Sequence, residues 1–112
     1  MDSKETYNSC MRAYYEWHRN TVGFLPKIDG SDGRALKEII KYLNLLSKNE
    51  AENMFRLILS RWSELPIFYK KNTRLRQINS NIHNIVYHFK NNNNVTGVSE
   101  DYVKDILAKL YK

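Results

Sequence analysis

A chain of 112 residues is long enough for one hydrophobic core and too short for two. With 42% apolar residues and fourteen aromatic side chains it is far from the composition of a disordered segment, and its one cysteine excludes an intrachain disulfide and Cys-rich zinc modules. The formal net charge of +6 raises the question of an anionic partner.

In the first helix, expected over about residues 4 to 21, Tyr7, Met11, Tyr14, Trp17, His18 and Thr21 recur at helical spacing and trace one face. Gly23 is the expected stop. The connection that follows holds Pro26 and Gly30, and its Phe24, Leu25 and Ile28 are expected to tuck into the core. A second helix begins near Asp32 and buries Ala35, Leu36, Ile39, Ile40, Leu43 and Leu46. Ser47-Lys48-Asn49-Glu50 fits a capping box for a third helix, with a face of Ala51, Met54, Phe55, Ile58, Trp62 and Leu65. Pro66 ends it, because proline disfavours helical geometry in the residue before it.

After a polar junction at Lys70 to Thr73, a fourth helix carries Leu75, Ile78, Ile82, Ile85, Val86 and Phe89 on one face. Asn91 to Asn94 with Thr96-Gly97 read as a linker. Ser99 then caps a last helix, with Glu100 and Asp101 in its first turn and Val103, Ile106, Leu107 and Leu110 on its apolar face. The expected architecture is all-α: a single compact bundle of about five helices over residues 1–112, in which residues 95–112 form a loosely docked final helix. The start of the chain has no signal-peptide pattern and no run is long and apolar enough to span a bilayer, so the expected location is the cytoplasm, with no membrane partner.

Charge is unevenly placed. Residues 65 to 98 contain Lys70, Lys71, Arg74, Arg76 and Lys90 and no acid, and the carboxylate-free run between Glu64 and Glu100 is 35 residues long. Ordinary composition would place about four acids there. Cations without neighbouring carboxylates suit phosphate, because each neutralised phosphate releases condensed counterions. Opposite the apolar stripe of the fourth helix, Arg74, Gln77, Asn81, Asn84 and His88 share one face. Amide side chains can read adenine edges, while Arg and Lys reach guanine or phosphate. The candidate nucleic-acid-binding residues are therefore Lys70, Lys71, Arg74, Arg76, Gln77, Asn81, Asn84, His88 and Lys90, with DNA as the expected ligand. Tyr69 and Tyr87 are available for stacking. The alternatives are a helical protein-interaction adaptor, meeting its partner or a second copy through the basic face or the last helix, and a plain solvated face.

Signatures of catalysis are missing from the sequence. His83 and His88 are five residues apart, on different sides of a helix, with no nearby Asp, Glu or Cys to complete a metal site. His18 and Cys10 read as packed side chains, and Trp17 and Trp62 as core anchors. The segment Ile28-Asp29-Gly30-Ser31-Asp32-Gly33-Arg34 fails as a calcium loop, with Arg34 where glycine belongs and Ile40 where the bidentate Glu belongs. It lacks the Gly-Lys-Ser/Thr ending of a phosphate-binding loop, and reads as a turn followed by a cap at Asp32, with an anion at the start of the second helix as an additional expectation. No enzyme activity and no cofactor are expected.

Arg61-Trp62-Ser63-Glu64-Leu65-Pro66-Ile67-Phe68-Tyr69, continuing into Leu75-Arg76-Gln77-Ile78-Asn79-Ser80-Asn81-Ile82, resembles the short helical replication and accessory proteins of phages and integrated mobile elements in Bacteroides-type bacteria. Asp32-Gly33-Arg34-Ala35-Leu36-Lys37 fits the same likeness, which covers about residues 10 to 90 and rests mostly on core positions. The resemblance implies DNA handling or assembly of a replication or excision complex. It brings no catalytic residues with it.

Overall fold

The computed structural model describes residues 3–91, which are all-α: α1 (Ser3–Val22), α2 (Gly30–Leu46), α3 (Ala51–Ser60), a 3-10 turn (Trp62–Glu64), the short α4 (Ile67–Lys70) and α5 (Leu75–Asn91). The expected linker and last helix, with Ser99, Val103, Ile106, Leu107 and Leu110, lie outside the described residues. Among those described, no helix is long and apolar enough to cross a membrane.

Helix α2 is the centre of the bundle and packs against α1, α3 and α5. Its apolar stripe closes on those of its neighbours: Leu36, Ile39 and Leu43 from α2, Tyr14 from α1, Phe55 from α3, and Leu75, Ile78 and Ile85 from α5 are all inaccessible or nearly so. All six residues of the α5 stripe are buried, as the periodicity requires. On α1 the stripe is shifted by part of a turn. Cys10, Ala13, Tyr14 and His18 are buried, whereas Tyr7, Met11 and Trp17 are partly covered and Thr21 is exposed.

Helices α2 and α5 run parallel. Arg74 and Arg76 meet Asp32, Asn79 Nδ2 donates to Glu38 Oε1 (3.3 Å), and Tyr42 Oη lies 3.0 Å from His83 Nδ1. Their N-termini therefore sit side by side, which positions the candidate site.

Three local expectations are corrected. The capping box at Ser47–Glu50 does not form. Ser47 instead ends α2 in an extended conformation, and Glu50 N–H donates to the Ser47 carbonyl (3.1 Å) across a turn with Asn49 at φ 64°. Glu50 caps α3 without a side-chain bond, because its carboxylate takes Asn53 Nδ2 (3.1 Å). Second, the box forms at the start of α2, where Asp29 Oδ1 accepts from Asp32 N–H (3.0 Å) and Asp32 Oδ2 accepts from Asp29 N–H (3.2 Å). The helix thus starts at Gly30, and Asp32 is the third helical residue. Third, Phe24 and Leu25 are 63% and 58% exposed. His18 holds the connection by its backbone, donating from Nδ1 to the Phe24 carbonyl (2.7 Å), so the phenyl ring stands at the surface, with its plane 71° from that of the imidazole.

Candidate nucleic-acid interface

The junction between α4 and α5 is built by contacts to its backbone. Trp62 Nε1–H donates to the Lys70 carbonyl (2.9 Å), Asn72 Nδ2–H to the Phe68 carbonyl (2.6 Å), and Tyr14 Oη–H to the Thr73 carbonyl (2.6 Å). Burial, followed by the nearby Asp32 charge, pushes the Tyr14 hydroxyl above its ordinary pKa, so it remains a donor. Arg74 then caps α5, its N–H donating to Gln77 Oε1 (3.0 Å). That bond satisfies one of the free amides at a helix start and occupies the Gln77 oxygen.

Asp32 sits beneath this junction. Its side chain is 2% exposed, and it faces two guanidiniums that are each half exposed: Arg74 Nη2 lies 3.2 Å from Oδ2 and Arg76 Nε 3.6 Å from Oδ1. Oδ1 is buried and has no hydrogen bond, so the Arg76 charge is its compensation. Asp29 Oδ2 adds a longer contact to Arg74 Nη2 at 3.9 Å. Hydrogen bonds from Ser31 and the Asp32 backbone lower the Asp29 pKa to about 2. The two carboxylates fill the N-terminus of α2, so the anion expected there is supplied by the chain itself.

The stretch that is free of acids in sequence is therefore not free of them in space. The parallel packing of α2 delivers Asp29 and Asp32 to Arg74 and Arg76, and Glu38 to Asn79. This corrects the premise that the α5 cations stand without carboxylate neighbours. It also assigns Asp32 a role that the local sequence did not suggest. A guanidinium carries five N–H donors in a rigid plane; the closest contacts to Asp32 and Asp29 are made by Arg74 Nη2 and Arg76 Nε, and both side chains stay half exposed. Held from below by a buried carboxylate, the two side chains line an open depression of about 500 Å³ together with Asn72, Gln77, Ser80 and Asn81.

Four of the predicted residues meet in that depression: Arg74, Arg76, Gln77 and Asn81. Lys70 and Lys71 stand on the α4 side of the junction, half-buried and exposed. Asn84 is exposed further along α5, and His88 and Lys90 are partly buried near its end. Lys90 is about 24 Å along the axis from Arg74 at 1.5 Å per residue, so it belongs to a different patch. A smaller pocket of about 260 Å³ shares Arg74 with the depression and adds Phe24 and Lys27 from the α1–α2 connection. Neither was predicted for the site, since only the fold brings that connection to the start of α5.

Elsewhere, Cys10 is fully buried and burial raises its thiol pKa to about 12, as expected of a packed side chain. Among the described residues, no three His, Cys, Asp or Glu side chains are grouped to hold a metal ion. Comparison of the chain with protein-family models, with curated proteins and with solved structures gives no significant match. The site is therefore read from its own geometry.

Proposed function

We propose that this is a non-enzymatic nucleic-acid-binding protein, with DNA as the ligand, that docks the start of α5 on the phosphate backbone. The observation that carries this reading is the pair of half-exposed guanidiniums fixed on one buried carboxylate at the rim of a polar depression. Arginines placed in advance lose little side-chain freedom on meeting a phosphate. Lys70 and Lys71 extend the positive field, while Gln77 and Asn81 offer amide groups to base edges. A role as an accessory factor of a phage or mobile element is what the resemblance in the α3–α5 region adds.

Lys90 lies in a different patch and Asp32 takes up part of the charge of the arginine pair, so the number of cations expected to engage falls from five to about three. Affinity for labelled DNA is then expected to fall with salt at a log–log slope of about −2 for single strands and about −3 for duplex. Anisotropy titrations at two salt concentrations check this. Absence of binding at low salt, or a flat slope with both probes, rejects the reading.

A second reading, a protein-interaction module, is supported by a different face. A groove of about 740 Å³ between α1 and α2 is lined by Tyr7, Ile40 and the exposed Leu45, with Lys37 and Lys41 at its edge. Leu45→Asp separates the two readings, since it leaves DNA affinity unchanged under the first.

A further inference from the structure

The end of the bundle that carries the arginine pair also displays large apolar side chains. Phe24 is 63% exposed and Phe68 56%, with Leu25 and Ile67 exposed beside them in sequence. Both phenylalanines are fixed by their own backbones: the Phe24 carbonyl by His18, and the Phe68 carbonyl by Asn72. Each ring meets its aromatic neighbour edge-on, Phe24 with His18 at 5.5 Å and Phe68 with Tyr69 at 5.2 Å between centroids. Edge-on contacts of this kind leave ring faces for another partner.

Phe24 adjoins the cations directly, and Phe68 is linked to them through Asn72. Phe24, Lys27 and Arg74 line one pocket. Arg74 continues into the depression that Asn72 also lines, and Asn72 is the residue that grips Phe68. Phe24 thus shares a pocket with one arginine of the pair, and Phe68 is tied by its backbone to a residue that lines the depression of both.

Resting on the nucleic-acid reading above, we infer that the ligand is a single strand, whose unpaired bases stack on Phe24 and Phe68 while its phosphates meet Arg74 and Arg76. Bases within a duplex are already stacked and paired, so a phenyl ring reaches a base face there only at the cost of unstacking a step. A single strand presents a π-face with every base, and exposed rings at the same end of the bundle as cations suit its chain of bases and phosphates. Exposed phenylalanines are otherwise unfavourable in water, and stacking removes that surface from solvent.

The test compares a short oligothymidine, an oligouridine and a duplex of equal length, using the full chain. Either single strand is expected to bind at least about ten-fold more tightly than the duplex. Phe24→Ala and Phe68→Ala are each expected to weaken single-strand binding by about 5- to 100-fold, to leave duplex binding unchanged, and to preserve the thermal midpoint because both rings are exposed. Phe24→Trp retains binding. A duplex that binds as tightly as the single strands, or alanine variants that match the parent, overturns this inference and leaves the nucleic-acid reading standing. Loss of salt-dependent binding to all three probes removes the parent reading as well. Self-association abolished by Phe24→Ala, with no nucleic acid bound, makes the patch a protein contact and overturns the inference.

Discussion

Two of the arginine–carboxylate clusters among the described residues are built in opposite senses. Arg61 is the buried member of its pair, 4% exposed against 27% for Glu64, with three hydrogen bonds between them (2.9 to 3.3 Å) and its guanidinium 5.3 Å from the Phe89 ring centre. At the start of α5 the acid is buried and the two arginines are half exposed. In the first cluster the cation is committed inward and stabilises the contact between the 3-10 turn and α5. In the second, the carboxylate serves as an anchor and the cations remain available to a ligand. The member that is buried decides whether an ion pair belongs to the fold or to the surface.

The comparison predicts asymmetric costs. Removing the exposed member strands a desolvated charge, whereas removing the buried member does not. The largest effect is expected for Glu64→Ala, which leaves Arg61 without its carboxylate and costs about 3 kcal/mol in urea unfolding. The double change Arg74→Ala with Arg76→Ala strands Asp32 and costs about 2 kcal/mol, less because the half-exposed guanidiniums are screened by water. The same double variant lowers the salt slope by about 1.4 for a single strand and about 2 for duplex, while Glu64→Ala leaves that slope unchanged. Asp32→Asn keeps the shape, loses the anchoring charge, and costs about 1 kcal/mol.

Acid tests a second pair of regions. Hydrogen bonding from Ser31 lowers Asp29 at the α2 start, and bonding from Ser9, then Arg56, lowers Glu52 where α1 meets α3. Both folded values lie below the unfolded ones, so their stabilisation is present above the usual values of 3.8 and 4.5 and is lost as pH falls through the folded values, about 2 for Asp29. Ser9→Ala is expected to flatten the acid side of the stability profile by removing the leading cause at Glu52.

The smallest effect at neutral pH is expected at Cys10. Its folded value of about 12 exceeds the usual 9.0, so its contribution is complete below pH 9 and is lost as pH rises towards 12. Cys10→Ala removes that alkaline loss, and in the folded parent the thiol resists alkylating reagents until the chain unfolds.

How much of this was legible in the sequence follows from the range of each interaction. The α5 stripe was readable because Leu75, Ile78, Ile82, Ile85, Val86 and Phe89 repeat within one helix. The four long helices covered by the described residues were legible for the same reason, as was the stop of α1 at Gly23 (φ 106°), although the capping of α2 and α3 was not. Ser47–Glu50 and Asp29–Asp32 both carry box-compatible residues, and only the path of the chain into the helix decides which box closes. The site was half legible. Its cations could be counted along the chain, but Asp32 reaches Arg74 across 42 positions because two helices pack in parallel, and no local pattern encodes that direction. Phe24 looked like core because it is apolar. It is exposed because His18 binds its carbonyl and leaves the ring outside.

The most direct test follows the arginine Nε–H resonances by nitrogen-15 NMR while a short oligothymidine is titrated into the protein. The signals of Arg74 and Arg76 are expected to shift progressively, and that of Arg61, under Phe89, to stay in place. If the Arg74 and Arg76 signals stay fixed while the oligonucleotide binds elsewhere, or never binds, the pair at the start of α5 is only a structural clasp and the account is wrong.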